Sequence, residues 1–424
     1  MNFVRRLAIW PTLPLNVYFR KVSSWLPYPL NDERCRVFSR ARHAIWNACR
    51  TLGLGSKDVV LVPAYHHGSE VEALLQAGVN VRYYKLTEML EPDLIHLQSL
   101  LTPEVRVLYL VHYLGFPQDA LRWSQWCEDR GLLLFEDAAQ AFLTEIDNRP
   151  VGSFGDAGIF CFYKTYGIPD GGAVISMAPP ALPASVAQQG GWRVFKRHFN
   201  WIAERWAAVG ALHLIFKPLV KLLKKKNHDP YKEFNLGDPS MPPSAMTMRL
   251  LPKLVDKTTA EKRRENYNFL LRHLGHLVPR PFLSLPAGAC PFAFPLELDD
   301  AYEAIKRLRR LGVEGILFWR NPHPTLPVMD FPVSRAFRNR VFAVPVHQEL
   351  TPSELQQIVE AVLKATGEEK IARTKKQVPR IKLQVPKKKN QKPKDKNQKV
   401  NIWNLIRGNL NFNWVLPLII CDFI

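Results

Sequence analysis

An α/β fold with a mostly parallel sheet, covered by helices on both faces, is what the first half of the chain predicts. Three observations carry this. Short apolar runs recur at Val59 to Val62, Val79 to Tyr84, Val105 to Val111 and Leu132 to Phe135, each the length of a buried strand. Helical patterns alternate with them at Arg42 to Leu52, Ser69 to Gln76 and Leu121 to Arg130. Strands and helices taken in turn favour parallel pairing, because a crossover helix must carry the chain back across the sheet. At 424 residues the chain is long enough for two or three domains.

Taken in order, residues 1–35 read as irregular, with prolines at 11, 14, 27 and 29. Pro11 and Pro14 interrupt the apolar start and no small-residue cleavage site follows, so no signal peptide is expected. In Arg42 to Leu52, Ala44, Ile45, Ala48, Cys49 and Leu52 fall on one helical face, and Gly53 follows as a stop signal. Ser69 is a plausible cap for the next helix, with Glu70 in its first turn. Further on, Leu250 to Leu274 reads as one long helix. Cys290 to Leu298, Ala301 to Leu311, Val313 to Trp319, Val341 to Val346 and Pro352 to Thr366 suggest a smaller α/β domain. The expected division is therefore 1–35 irregular, 36–248 large, 249–366 small and 367–424 a tail.

The six cysteines are scattered without C-x-x-C spacing, which points away from zinc or a disulfide framework and toward a reducing compartment. No metal site is expected. Fourteen Lys/Arg against four Asp/Glu lie in 366–424, half of the formal net charge of +20. That tail is basic and low in complexity, so it is expected to be disordered. The remaining body is mildly basic, which suits anionic small molecules. No nucleic-acid partner is expected.

The stretch from Leu132 to Ser176 holds the chemistry. Its first apolar run delivers Glu136 and Asp137 at a strand's carboxyl end, where ligands of open α/β sheets sit. A second run, Gly158 to Tyr163, ends at Lys164, and a turn through Asp170, Gly171 and Gly172 leads into a third, Ala173 to Ile175. A lysine amine and a carboxylate on neighbouring strand ends meet the two needs of pyridoxal phosphate. The amine condenses with the aldehyde, and the carboxylate keeps the pyridine nitrogen protonated so that the ring takes up electrons.

Glu136-Asp137-Ala138-Ala139-Gln140-Ala141, Gly152 to Asp156, Lys164 and Asp170-Gly171-Gly172 together resemble the DegT/DnrJ/StrS family of sugar aminotransferases. The resemblance runs over roughly 35–365 and is strongest over 59–176. It implies a fold type I aminotransferase: a large sheet domain plus a smaller C-terminal α/β domain, active as a homodimer. It implies Lys164 and Asp137 as the catalytic pair on pyridoxal 5'-phosphate. Gln140 matches the residue that meets the ring hydroxyl, and His67 the residue that stacks on the ring. His112 matches a position facing the substrate. The phosphate belongs at the start of the first helix, where free N–H groups and the helix dipole favour an anion. Here Arg42 and His43 replace the family's Gly-Thr, and Cys161 replaces a serine, a poorer donor to phosphate. Asn235 and Ser244 are candidates for residues reaching the partner subunit's site.

The implied reaction moves an amino group from glutamate or glutamine to a nucleotide-linked keto-sugar, for polysaccharide or glycan synthesis in the cytoplasm. A sugar dehydratase is the second enzyme reading; such relatives carry His at the lysine position, and Lys164 speaks against it. A binding or scaffolding protein is the third reading, favoured by the altered phosphate cup and by a basic aromatic insertion at 190–232. Peripheral contact with the inner face of a membrane through 192–226 or the tail is compatible with that composition.

Overall fold

A seven-stranded sheet organises the molecule, with strand order β1-β9-β8-β5-β4-β2-β3. The strands are β1 (Arg36–Phe38), β2 (Val59–Pro63), β3 (Asn80–Tyr84), β4 (Val105–Val111), β5 (Leu133–Ala138), β8 (Ala157–Cys161) and β9 (Gly172–Ser176); β6 (Glu145–Ile146) and β7 (Arg149–Pro150) form a separate hairpin. The chain is described from a computed structural model over residues 7–181, 191–192, 194–195, 198 and 234–368. The expectations for most of the 190–232 insertion and for nearly all of the tail therefore fall outside the described residues. So does the sixth cysteine, Cys421.

Strands β3, β2, β4, β5 and β8 pair in parallel, and β9 and β1 close one edge antiparallel. β2 and β8 are buried along their whole length, as strands covered on both faces must be. Helix α1 (Ala41–Thr51) buries Ala44, Ile45, Ala48 and Cys49, the face its periodicity set. It presses its first turn onto the start of β9. A side chain on Gly172 would collide with the backbone of Arg40 and Ala41, so the close approach requires glycine there. Helix α2 (Ser69–Gln76) has Gly68 rather than Ser69 at its N-cap, at φ +107.

Two expectations change. The single helix over 250–274 is two helices, Ala245–Leu254 and Thr259–Leu274. Pro252 brings no N–H to the last turn of the first, Val255 is extended, and the Asp256 carboxylate accepts from the Thr258 N–H at 2.8 Å to build the corner. The second apolar run of the central stretch leaves the sheet at Cys161, and Phe162–Lys164 form a 3-10 turn, so Lys164 sits one turn beyond the strand.

The later residues form a three-stranded antiparallel sheet, Phe294–Glu297, Val341–Val344 and Ile316–Leu317, with helix Ala301–Arg310 on it and helix Pro352–Thr366 against that helix and Thr259–Leu274. The expected strand over Val313 to Trp319 is only two residues long. Trp319, at φ +63, turns the chain away. The N-terminal segment is less irregular in its packing than in its sequence. Leu7 bridges to Val313, Leu13 and Val17 are buried, and the Tyr28 hydroxyl donates to the Gly152 carbonyl at 2.8 Å.

Candidate active site

The carboxyl ends of β2, β4, β5 and β8 lie along one edge of the sheet, so the loops after them gather there. Those loops carry His67, His112, Asp137 with Gln140, and Lys164. Successive residues of a strand point to opposite faces, which separates the two neighbouring acids of β5.

Asp137 is braced from two sides. The Tyr109 hydroxyl on β4 donates to one carboxylate oxygen at 2.8 Å, and the Ala139 N–H to the other at 2.9 Å. Two groups report that Lys164 shares its surroundings. Burial pushes the Glu70 carboxyl up and Asp137 pushes it further, while Lys164 pulls it down. Burial likewise pushes the Cys161 thiol up, with Lys164 opposing and Asp137 adding. The ammonium and the carboxylate act on the same two side chains, from neighbouring strands.

Positive charge surrounds the start of α1. Arg40, at the N-cap, lies 5.3 Å from the centre of the Tyr163 ring. Burial lowers the Arg42 guanidinium and Arg40 repels it, while Tyr163, Glu70 and Cys161 favour its charge. Burial pushes the Tyr163 hydroxyl up and keeps it protonated, with Cys161 adding to the shift and Arg40 opposing it. Two guanidiniums, a phenol and a helix N-terminus form a donor set suited to a phosphate dianion.

His67 lies beside this cup, and burial pushes its ring down to about 3, with repulsion from Lys164, Arg42 and Arg338 adding to the shift. It is a neutral, flat ring at physiological pH. Phe234 meets it edge-on at 5.7 Å, and a side chain on Gly68 would come within 2.8 Å of the Phe234 ring.

Other expected site residues are differently employed. Both nitrogens of His43 are engaged, with Ser39 Oγ at 3.2 Å and the Leu236 carbonyl at 2.8 Å. The ring anchors 234–236 onto α1 and does not point at the cup. His112 is fully buried: Nε2 meets Glu136 at 3.2 Å and Nδ1 accepts from the Gln118 N–H at 3.0 Å. It braces the loop after β4, a correction to the substrate-facing role. Gln140 is buried and accepts from the Leu114 N–H at 2.8 Å through Oε1, which leaves its amide N–H groups to turn elsewhere. Arg42 reaches the cup but also donates to the Asn235 carbonyl at 2.6 Å. Asn235 therefore lies against Arg42 of its own chain. Ser244 is buried against the Asp170 carboxylate, to which its hydroxyl donates at 3.0 Å.

Sequence reasoning missed Glu70, Tyr109, Tyr163 and Arg338. Glu70 accepts from the His67 and Gly68 N–H groups at 2.8 and 3.1 Å, tying the β2–α2 loop. Buried Arg338 donates to the carbonyls of Ala64, His66 and Trp319, fastening the later helix Pro332–Arg340 to that loop. Glu70 had a visible signal, an acid three residues after His67 at a helix start. Arg338 had none.

Comparison with known proteins bears on the family and the fold. Residues 30–183 match the sequence profile of the DegT/DnrJ/EryC1/StrS aminotransferase family. This segment is similar to that family. Over 167 residues the chain is 29% identical to UDP-N-acetyl-3-dehydro-alpha-D-glucosamine 3-aminotransferase of Acidithiobacillus ferrooxidans, covering 37% of this chain and 42% of the relative. It is 20% identical over 368 residues to the spore coat polysaccharide biosynthesis protein SpsC of Bacillus subtilis, covering 78% and 87%. The chain spans about two fifths of the length of the first two relatives it matches. Among solved structures, the putative sugar aminotransferase Spr1654 of Streptococcus pneumoniae, in its PMP form, matches with a TM-score of 0.61 at 16% identity, over 86% of this chain and all of that one. DesV of S. venezuelae matches with a TM-score of 0.58 at 18% identity, over 79% and 85%. The fold is that of the fold type I sugar aminotransferases, as the resemblance implied. No helix among the described residues is long and apolar enough to cross a membrane.

Proposed function

We propose that the chain is a pyridoxal phosphate-dependent aminotransferase that moves an amino group from an amino-acid donor to a nucleotide-linked keto-sugar. The observation that carries this is Asp137 at the carboxyl end of β5, held by Tyr109 and Ala139, beside β8, whose following turn carries Lys164. When bound, the cofactor supplies an aldehyde that takes up an amino group and a ring that accepts an electron pair. The donor set fits it. Arg40, Arg42 and Tyr163 would hold the phosphate at the start of α1. Asp137, fixed by Tyr109 and Ala139, would hold a proton on the ring nitrogen. Neutral His67 would cover one face of the ring, and Gln140 would offer an amide N–H to the ring hydroxyl.

Lys164 Nζ would hold the cofactor at rest. During turnover, as a free amine, it would take the proton from the donor's α-carbon and complete the 1,3-shift by returning it two bonds away. It ends the short turn Phe162–Lys164, three residues after Cys161, and carries its amine on a flexible four-carbon stem. As in the sequence reading, glutamate or glutamine as donor, a homodimer, a role in polysaccharide or glycan synthesis, and the division at 36–248 and 249–366 belong to the same proposal. Relatives named for nucleotide-sugar transamination support the acceptor class.

A non-catalytic binding protein is the competing reading, favoured by the commitment of Arg42 to the Asn235 carbonyl and by Phe234 against His67. The visible spectrum of the purified protein with pyridoxal phosphate separates the two. We expect a band from the bound cofactor that shifts on adding glutamate, and its loss in Lys164→Ala with turnover down at least a thousandfold. Turnover unchanged in Lys164→Ala sinks the assignment, and a protein that binds no cofactor supports the competing reading.

A further inference from the structure

Away from the Lys164 corner lies a cavity of about 680 Å³. That is within the range of small-molecule sites, roughly 300–1,000 Å³. Its walls come from residues 20–25 of the N-terminal segment, the corner between helices Ala245–Leu254 and Thr259–Leu274, and Tyr166 with Gln348 and Glu349. The side chains gathered at Lys164, namely His67, Glu70 and Cys161, are not among them.

Five of the lining residues are cationic: Arg20, Lys21, Lys253, Lys257 and Lys262. Two are acidic, Asp256 and Glu349. None of the five cations forms a salt bridge within 4 Å among the described residues. Lys253 is spent on the Tyr18 carbonyl at 2.9 Å, and Arg20 donates to Asn16 at 3.3 Å. The Asp256 carboxylate is spent partly on the Thr258 N–H, and Lys262 and Arg20 help to lower its pKa. Lys257 lies over the Trp25 ring, 5.8 Å from its centre. The helix Thr259–Leu274 begins at this wall, and its N-cap Thr258 makes no side-chain capping bond. A helix dipole with its positive end here adds to the lysine charge.

We infer that this cavity binds a phosphate-bearing anion of diphosphate size, held by Lys21, Lys257 and Lys262 against the start of the Thr259–Leu274 helix. Five cationic side chains against two acids, one of them already accepting from the Thr258 N–H, leave an excess of positive charge around this cavity. Lysine binds phosphate as a point charge without fixed geometry, which matches walls built from three separate chain segments. This inference stands apart from the aminotransferase reading, since none of its residues belongs to the cofactor corner.

Isothermal titration with inorganic pyrophosphate tests it, on the full chain saturated with pyridoxal phosphate at low salt. We expect binding that weakens at least tenfold in Lys21→Ser/Lys257→Ser/Lys262→Ser. The charge-matched control Lys306→Ser/Arg309→Ser/Arg310→Ser, on a distant helix, should bind as the parent does. Should the groove variant not fold, Lys257→Glu alone is expected to weaken binding severalfold. No binding by the parent overturns the site, and so does equal loss in the control, because net charge would then explain the affinity. Repeating the titration with vesicles containing anionic lipid separates the sources. A groove-dependent response to vesicles points to a lipid headgroup, and one to pyrophosphate alone points to a soluble phosphate ester.

Discussion

On one face of β5 the Glu136 carboxylate accepts from the N–H groups of Gly152, Phe154 and Gly155 at 2.6 to 2.9 Å and meets His112 at 3.2 Å. On the other face Asp137 accepts from one phenol and one N–H and looks toward a corner holding Lys164, Arg42 and His67. The residues are adjacent and chemically alike. One is saturated with partners from its own chain and closed to water. The other is fixed in place by two donors and is flanked by the strand that leads to Lys164. A carboxylate wholly consumed by backbone N–H groups is scaffold, whereas one held still with capacity to spare is poised for a ligand.

The largest effect should come from breaking the scaffold side. Glu136→Ala strips the acceptor from three buried N–H groups and leaves His112 facing a void. Removing one partner of such a buried charged network costs on the order of 3–5 kcal/mol. Chemical denaturation should show that loss, while Glu136→Gln, keeping one acceptor oxygen, should lose less. If Glu136→Ala melts like the parent, the Gly152–Gly155 loop does not depend on it and the contrast fails.

Asp137→Asn should do the opposite. The amide keeps an acceptor for Tyr109 or Ala139 but withdraws the negative charge. Stability should change by less than about 1 kcal/mol, as for a near-isosteric change that keeps its hydrogen bonds. Turnover should fall about a hundredfold, equivalent to about 2.7 kcal/mol of transition-state stabilisation. The two variants together are a crossed test: one should move the melting curve and the other the rate.

Next in size is an acid sensitivity seated at the cofactor corner. The His67 pKa is about 3 in the folded chain, against an ordinary value near 6.5 when unfolded. Between those values the unfolded chain binds a proton that the folded chain refuses. Stability from this group is therefore full above about pH 6.5 and is lost as pH falls toward 3. Buried His66, also depressed by burial, adds to the same slope. Melting temperature should fall on acidification through this window, and His67→Phe, which keeps the flat ring, should flatten the fall. A His67→Phe protein with an unchanged acid slope would place the liability elsewhere.

How much of this was visible in the bare sequence follows the same contrast. Strand and helix alternation could be read because apolar periodicity is local; α1, α2 and the helix Pro352–Thr366 lie within a residue of where the pattern put them. Asp137 and Lys164 stood out because each ends an apolar run with a charge. His112 misled because a histidine after a strand looks the same whether it faces a ligand or a buried glutamate; only β4 lying against β5 decides it. Tyr109 and Arg338 were invisible because their partners come from other elements, in the second case nearly the whole domain away in sequence. The break at Val255 was missed because apolar spacing continues across it, and the proline and the Asp256 turn outweigh spacing.

The smallest expected effect concerns the cup. Cys161 holds the position where the family places a serine, and its buried thiol is kept protonated, so it gives little to a phosphate. Arg40, Arg42 and Tyr163 stand around it and already supply the charge. Cys161→Ser should then tighten pyridoxal phosphate binding only a few-fold, about 0.5–1 kcal/mol for one modest hydrogen bond. Arg42→Ala should cost more, because it withdraws a charged donor. Fluorescence titration of the cofactor on both variants ranks them. A larger gain in Cys161→Ser than loss in Arg42→Ala would mean that the hydroxyl, not the guanidinium, is what a phosphate needs at this helix start. The cup would then be impaired rather than rebuilt on charge, and the binding-protein reading would gain accordingly.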